Sequence, residues 1–397
     1  MSTNQRQEAK TRATRRQDAV QVLLFALALL LPSAGYLLEW NDFEMLAENR
    51  RLAERPDWPA DASALREFPT AFERHFDDHF GFRSFLVGRD KRLEWLGRRT
   101  DVEIQLGEGG WLFQGTRRTT AEMSCMQPTE AVLASWLALG RDRRSRFEEV
   151  DIPFYWVMAP NKHTVHPEQL PVFARAELRE CDVDALGQAF ARAGVPFLDL
   201  RTQLVELPHD PPLYYQTDTH WNQLGAAHAV ALLIEEIRRQ FPAVPPFSFE
   251  PFDVAVGPEL FEGNLAARLR VYGEHYEEPF LRLERRSPPT ARLDPMQDPI
   301  DLRVHSREDP VLEFSTGRAE LPTAWVFHDS FGFATMELLA EHFKSVRFVN
   351  SHGWIDAGHF ERELPDLVIA LFVENRIQEA ARFEPDWRIK RDLVQVR

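Results

Sequence analysis

The chain has 397 residues, a formal net charge of −15 at pH 7 and 44% apolar side chains. This length predicts a main domain of roughly 250 to 300 residues together with accessory segments. The acidic balance argues against broad binding to nucleic acid, because neutralising phosphates needs clustered Lys and Arg.

The first forty residues differ in kind from the rest. Basic residues at Arg6, Lys10, Arg12, Arg15 and Arg16 precede an uncharged run, Ala19 to Leu38. A run of about twenty apolar residues can cross a bilayer core, and the basic end predicts a cytoplasmic N terminus. A cleaved signal peptide is the alternative, because residues 33–35 are small, but no clean A-x-A site appears. We therefore interpret residues 1–40 as a basic tail and single-pass inner-membrane anchor, with the remainder in the periplasm.

Two cysteines, Cys125 and Cys181, fall in the part expected to be exported. In an oxidising compartment they can form one disulfide, and two unpaired thiols remain the alternative. No C-x-x-C pair or cysteine metal pattern occurs, so the sequence favours neither redox catalysis nor a structural zinc site.

The next segments predict a helical collar and an α/β domain. Residues 41–105 contain apolar residues at helical spacing, between Phe68 and Gly97, which indicates amphipathic helices. From residue 106 to 397, strands alternate with helices; the predicted strands include Phe154–Met158, "PFLDL", "TAWVFH", "SVRFVN" and "DLVIALFVE". This alternation predicts three layers, with a mostly parallel sheet covered by helices on both faces. Ligands of such folds bind at the carboxyl ends of the strands.

A segment rich in Pro, Arg and acids, at about 242–321, interrupts that alternation. We interpret it as an insertion that packs on one edge of the domain or forms a lid.

A candidate nucleophile, Ser330, stands in "WVFHDSFG". It follows an apolar strand and precedes a helix, where helix N-terminal N–H groups can stabilise an oxyanion. The alternative is that Asp329 or Ser330 only caps the helix.

A candidate base and acid, His220 and Asp218, stand together in "LYYQTDTHWN". The alternatives are that Asp218 and Thr219 cap the next helix and that His220 is a packed core residue. A metal site of His163, His166, His220 and Asp218 is a further alternative, but no ligand spacing is fixed, so we expect no metal. A hydrolase triad needs a serine, a histidine and an acid in any chain order. We expect all three residues at the carboxyl ends of strands.

Six motifs together resemble one known family. They are "DHFGFR", "GGWLF", "PNKHTVHPEQLP", "DTHWNQLGA", "EGNLAARL" and "HDSFG". Over roughly residues 60 to 380 the chain resembles the alginate O-acetyltransferase family of the AlgJ and AlgX type, whose core is a circularly permuted SGNH hydrolase domain. The resemblance implies Ser330 as acyl-accepting nucleophile, His220 as general base and Asp218 as its orienting partner. It also implies a membrane-bound O-acyltransferase that supplies acetyl groups, and no cofactor.

The chain departs from the common SGNH pattern in its serine block. His328-Asp329-Ser330 stands where Gly-Asp-Ser is common. The amides of Asn264, in "GNL", and of Asn161 are both candidate oxyanion donors, and the sequence does not choose between them. Because the chain ends soon after "DLVIALFVENRIQEAARF", we expect the AlgJ type rather than the AlgX type, which carries a carbohydrate-binding module.

The expected function is O-acetylation of an exported polysaccharide, alginate-like or another exopolysaccharide. At most two of five aromatics are expected to stack on sugars: Trp111, Tyr214, Tyr215, Trp221 and Trp354. A basic patch of Lys162, Arg268 and Arg270 would suit an anionic polymer. A carbohydrate acetylesterase of the same fold and a non-catalytic assembly scaffold are the alternatives.

Overall fold

A computed structural model gives the fold. The structure describes residues 19–27, 30–31, 33–38, 53–59, 61–80, 103–116, 119–120, 123, 128–176, 184–269, 277–293, 311–351, 354–355, 359–360 and 363–378. The basic residues 6–16, both cysteines and Arg270 lie outside these ranges. The predictions made for them are therefore not addressed by the structure.

The apolar N-terminal run is helical wherever the structure describes it before residue 38. Among the helices that the structure describes, none combines the length and apolar character needed to span a bilayer. The predicted anchor, part of which lies outside the described residues, stays a prediction.

The chain divides into two compact units, one formed by residues 1–99 and 267–271 and the other by the remainder. In the first unit, α1 (Ala62–His79) carries Phe72 and Phe76, whose rings contact Tyr36 with centroids 6.5 and 5.2 Å apart. A helix therefore occurs within the predicted collar, whose boundaries stay predictions.

The second unit contains the strands. In chain order they are β1 (Ile104–Leu106), β2 (Leu112–Gln114), β3 (Phe154–Ala159), β4 (Phe197–Asp199), β5 (Phe252–Phe261), β6 (Glu278–Arg285), β7 (Arg292–Leu293), β8 (Leu312–Ser315), β9 (Thr323–His328), β10 (Ser345–Asn350) and β11 (Leu367–Val373). Further helices after α1 include α2 (Glu130–Glu148), α3 (Lys162–Val165), α4 (Val172–Ala176), α5 (Asp184–Ala193), α6 (Arg201–Glu206), α7 (Gln223–Arg238), α8 (Asn264–Leu269) and α9 (Met336–Ala340).

A seven-stranded sheet has the order β4-β3-β11-β9-β10-β8-β7. The strands from β4 to β10 run parallel to their neighbours, and β8 and β7 add an antiparallel edge. Every residue of β3 and β11 is buried, as the continuous apolar runs "FYWVMA" and "LVIALFV" predict for strands covered on both faces. The prediction of a mostly parallel sheet is confirmed.

Helices pack on both faces of this sheet. On one face, α2 and α5 place Trp136 and Phe190 in a cluster with Trp156 of β3. On the other face, α7 and α9 place Ile234 and Leu339 in a second cluster. The three-layer α/β architecture is therefore confirmed.

The helix α7 begins differently from the expectation. Asn222 is its N-cap, and the Asn222 side chain accepts hydrogen bonds from Leu224 N and Gly225 N, both at 3.0 Å. Asp218 and Thr219 therefore do not cap α7. Asp218 and His220 also do not end a strand, because they lie in a loop between α6 and α7 whose only extended pairing is one bridge, Tyr214 to Trp221.

The insertion contributes two separate pieces of β structure. The strands β5 and β6 pair antiparallel with each other, whereas β7 and β8 extend the edge of the large sheet beyond β10. Between β5 and β6, α8 begins at Asn264. The insertion thus supplies both an edge of the sheet and residues of the candidate site.

Two helical glycines offer a matched test of packing around α7. A Cβ at Gly225 would lie 2.3 Å from the Leu213 carbonyl oxygen, whereas at Gly187 in α5 the nearest neighbouring atom would be 3.7 Å away. We expect Gly187→Ala to stabilise the fold by up to about 1 kcal/mol through helix propensity. Gly225→Ala should destabilise it by about 1 to 3 kcal/mol through overpacking. Urea denaturation measures both; equal effects would contradict the close approach of α7 to Leu213.

Candidate active site

Ser330 is the first residue of a 3₁₀ helix, Ser330–Thr335, that follows β9. The preceding residue, Asp329, supplies the cap: its carboxylate accepts from Phe331 N at 2.9 Å and from Val373 N at 2.7 Å. Burial raises the pKa of Asp329, and these two backbone hydrogen bonds oppose the shift. Because Asp329 does the capping, the Ser330 hydroxyl is left for other contacts.

The Ser330 hydroxyl lies at one end of a chain of three hydrogen-bonding groups. Its Oγ is 2.8 Å from His220 Nε2, and His220 Nδ1 is 2.6 Å from Asp218 Oδ1. A carboxylate only accepts hydrogen bonds, so the proton between Asp218 and His220 is on Nδ1. Nε2 is then the basic nitrogen and faces the serine hydroxyl. The structure thus brings together the three residues expected to act as a triad.

The carboxylate of Asp218 is buried and held by further donors. Its Oδ1 also accepts from His220 N at 2.8 Å, and its Oδ2 accepts from Asn264 N at 2.7 Å. Asp218 is 3% exposed and His220 is 7% exposed. Ionised acids buried in this way need such donors, because desolvation penalises the charge.

The two amides expected as oxyanion donors have protein partners. Asn264 Nδ2 donates to Thr219 Oγ1 at 2.8 Å, and Asn264 Oδ1 accepts from Thr219 N at 3.2 Å. Asn161 Nδ2 donates to the Met123 carbonyl at 2.9 Å, and Asn161 N donates to Glu374. Asn264 therefore supports the loop beside His220, and Asn161 helps to begin α3.

Lys162 does not line a basic groove, contrary to the expectation. It is 2% exposed, and its ammonium donates to the carbonyls of Leu112, Gln216 and Asp218. Burial lowers the pKa of Lys162 to about 7, and the negative charges of Glu278 and Asp218 oppose the shift. Lys162 therefore takes no part in the expected patch, since it is turned inward against backbone oxygens.

A small cavity of about 30 Å³ lies beside the serine and the histidine. Its lining residues are Tyr215, His220, Trp221, Gln223, Phe261, Phe280, Ser330 and Ala334. The rings of Tyr215, Phe261 and Phe280 are nearly parallel, and the first two have centroids 3.7 Å apart. We call Tyr215, Phe261 and Phe280 the aromatic wall.

The other aromatics expected to bind sugars have different positions. Tyr214 is 1% exposed and its hydroxyl donates to the Pro160 carbonyl at 2.5 Å. Trp221 is equally buried, and its Nε1 donates to the Phe331 carbonyl at 3.1 Å. Trp354 stacks on Trp136 and Trp111 lies 4.7 Å from His166, centroid to centroid. Of the five aromatics, Tyr215 and Trp221 reach the cavity.

Sequence reasoning missed three residues of this region: Glu278, Phe261 and Phe280. All three belong to β5 or β6, which pair with each other so that Phe261 lies opposite Glu278. The alternating pattern of "EPFLRLER" indicates a strand, but it does not reveal which strand pairs with it.

One group of described residues has metal-ligand geometry. Ligand atoms of His166, Glu168 and His209 all lie within 4.8 Å of one another. This group contains none of the three triad residues. Among the described residues, the set of His163, His166, His220 and Asp218 does not gather as a ligand group.

Known proteins resemble this chain over part of its length. The model described as "SGNH hydrolase-like domain, acetyltransferase AlgX" matches residues 104–293, which include Asp218 and His220 but not Ser330. A probable alginate O-acetylase AlgJ from Pseudomonas syringae pv. tomato is 24% identical over 230 residues, 58% of this chain and 54% of the relative. A second, from Pseudomonas aeruginosa, is 27% identical over 170 residues, 42% of each chain. The chain thus spans about half the length of these curated relatives.

A solved structure shows the same fold. PatB1 from Bacillus cereus superposes with a TM-score of 0.53 at 13% identity, covering 72% of this chain and 99% of PatB1. The fold and the family model together define an SGNH hydrolase-like α/β protein. The family model and the two curated relatives that the chain matches are of the AlgJ/AlgX type, as its motifs predicted. The circular permutation that the resemblance implied stays a prediction.

Proposed function

We propose that the protein is an O-acetyltransferase that moves acetyl groups through an acyl-enzyme on Ser330 to hydroxyls of an exported polysaccharide. The observation that carries this proposal is the run of hydrogen bonds from Ser330 Oγ through His220 to Asp218. A serine, a base and an orienting acid in this order are the elements of acyl transfer on many unrelated folds.

In the first half-reaction, His220 Nε2 takes the Ser330 proton while Oγ attacks the acetyl carbonyl of the donor. The tetrahedral intermediate collapses, and His220 returns the proton to the leaving group. In the second half-reaction, an acceptor hydroxyl gives its proton to His220 and attacks the acetyl-serine; the new intermediate expels Ser330 Oγ, which takes the proton back from His220. Asp218 stays ionised and stabilises the imidazolium formed in each half-reaction.

The oxyanion of each intermediate needs nearby donors. As the first residue of a short helix, Ser330 has no intrahelical acceptor for its backbone N–H. This N–H is the donor that we assign to the oxyanion. The Asn161 and Asn264 amides are not assigned, because each donates to a protein oxygen.

The acceptor and the donor are proposed by analogy with the relatives. The two curated relatives are named as probable alginate O-acetylases, which supports a polysaccharide acceptor, alginate-like or another exopolysaccharide. A membrane-bound O-acyltransferase is the proposed source of acetyl groups. An acetylesterase would use the same serine and differ only in whether water or a sugar hydroxyl attacks the acyl-enzyme.

The triad is tested with Ser330→Ala and His220→Ala on a chromogenic acetyl ester, with and without an oligosaccharide acceptor. Acetyl release should fall by at least about 10³-fold in both variants, because each removes one element of a unit. With acceptor present, the wild type should yield acetylated sugar. The exposed Ser315→Ala is the control and should behave as the wild type. Release to water alone would instead indicate an esterase, and activity independent of Ser330 would reject the triad.

We also propose that the catalytic unit faces the periplasm, with residues 1–40 as the membrane anchor. This proposal rests on the basic residues before the uncharged run at Ala19 to Leu38. In cells with a permeabilised outer membrane, added protease should degrade the protein and spare a cytoplasmic control. Protection equal to that of the control would refute the periplasmic location, and extraction by carbonate would refute the anchor.

The aromatic wall predicts selectivity for a short acyl group. A cavity of about 30 Å³ holds on the order of two water molecules, which suits an acetyl methyl but not a longer chain. Phe280→Ala should therefore raise the butyryl-to-acetyl ratio of kcat/KM by about 10-fold or more, within the range that two methylenes provide. Phe314→Ala removes an equally buried ring outside the cavity and should leave the ratio unchanged. Equal ratios in both variants would contradict this role of the wall.

A further inference from the structure

The loop segment Gln216–Asp218, called the acid loop below, is bound from two sides by charged side chains, one buried and one partly buried. Lys162 contacts its carbonyl groups, and Glu278 contacts its N–H groups. Neither charged residue touches the Ser330 hydroxyl or the His220 ring among the hydrogen bonds described. The two charged side chains thus lie beside the acid of the triad without touching the base or the nucleophile.

On the carbonyl side, the ammonium of Lys162 uses its three N–H groups. It donates to Gln216 O at 2.8 Å, to Asp218 O at 3.0 Å and to Leu112 O at 2.7 Å. An ammonium has three donors and no acceptor, so these carbonyls match its capacity. The ring faces of Trp111 and Phe113 also lie 4.9 and 5.1 Å from the nitrogen. Lys162 therefore joins the acid loop to β2.

On the opposite side, the carboxylate of Glu278 accepts three hydrogen bonds. Oε1 accepts from Gln216 N at 2.5 Å, and Oε2 accepts from Thr217 N at 2.8 Å and from Thr217 Oγ1 at 2.5 Å. Burial raises the pKa of Glu278, and the hydrogen bonds from Thr217 and Gln216 oppose the shift. Glu278 therefore joins the same loop to β6.

A third contact leaves the acid loop little room to move. The Thr217 carbonyl accepts from Leu265 N at 3.0 Å and from Ala266 N at 3.2 Å. Gly263 approaches so closely that a Cβ there would lie 2.3 Å from the Thr217 carbonyl oxygen. Thr217 is fully buried. The backbone before Asp218 is thus held by a cation, by a carboxylate and by the start of α8.

We propose that Lys162 and Glu278 are positioning residues, which fix the acid loop between them and so hold the Asp218 carboxylate where it orients His220 toward Ser330. This inference rests on the proposed acyl transfer, and it assigns to the pair a role that acts only through Asp218. Asp218 contacts Lys162 through its own carbonyl and His220 through its carboxylate, so a displacement of the loop backbone is passed directly to the imidazole.

The size of the effect follows from geometry. Misplacing a catalytic group by 1 Å can reduce the rate by about 10²-fold. Removing one member of the pair also removes the opposite charge that offsets the desolvation of the other. A positioning role therefore predicts a loss in kcat, because neither residue lines the acyl cavity.

The test uses the full-length protein with Lys162→Met and Glu278→Gln, which keep side-chain length and remove the charge. We expect kcat with an acetyl ester to fall by about 30- to 300-fold in each variant, with KM changed by less than about 3-fold. Because both residues hold one loop, the double variant should lose less than the product of the single losses.

A spectroscopic measurement reads the loop directly. The Nδ1 proton of His220, shared with Asp218, should give a downfield proton resonance that disappears in His220→Ala. In Lys162→Met it should shift or broaden. Arg143→Met, which removes another buried cation (3% exposed), is the control for general destabilisation and should leave resonance and kcat unchanged.

The outcomes separate the two proposals. The positioning role would be overturned if Lys162→Met kept the wild-type kcat and resonance. It would also be overturned if Arg143→Met lost as much kcat at an equal loss of stability. If the wild type shows no Ser330-dependent transfer, the proposed function fails, while the resonance still decides whether Lys162 positions His220. Should Lys162→Met not fold, Thr217→Val is the second variant, because it removes only the hydroxyl hydrogen bond to Glu278. It should lower kcat by about 3- to 10-fold, and a wild-type kcat there would overturn the positioning role.

Discussion

The hydrogen bond between Asp218 Oδ1 and His220 Nδ1, at 2.6 Å, orients the base of the site. Its acceptor is a carboxylate that is almost completely buried. Such a group stays ionised only if protein donors replace its hydration. The donors come from the His220 and Asn264 backbones, and this requirement explains why α8 begins beside the loop. The insertion that interrupts the α/β pattern is therefore necessary to the site, since it supplies both Asn264 and Glu278.

On the sheet side of the site, adjacent residues divide two tasks. Asp329 caps the 3₁₀ helix and also accepts from Val373 N, so it ties the turn after β9 to the end of β11. Because Asp329 caps the helix, Ser330 does not, and its hydroxyl contacts His220 instead. A strand end in the middle of a parallel sheet is well suited to this arrangement, because β9 is fixed on both sides by hydrogen-bonded neighbours.

The parts of the molecule that local sequence determines were predictable. The apolar runs of β3 and β11 specify buried strands, and Ser330 follows its strand at a distance of two residues. By contrast, the burial of Lys162 was not predictable, because its partners are backbone carbonyls, which every residue possesses. The aromatic wall depends on the register of β5 against β6, and the apolar "LYYQ" forms a single bridge where a strand was expected. These features arise from long-range pairing, which composition and periodicity do not encode.

The short segment from Tyr215 to Asn222 contains several residues of the site. It also connects the Asp218–His220 loop to the turn that carries Ser330. Tyr215 supplies a ring of the cavity, Asp218 and His220 supply the acid and the base, and Asn222 caps α7. Trp221 adds the link to the nucleophile, because its indole N–H donates to the carbonyl of Phe331, the residue after Ser330. The distance between Ser330 and His220 is therefore set by two connections, one through the side chains themselves and one through this buried indole.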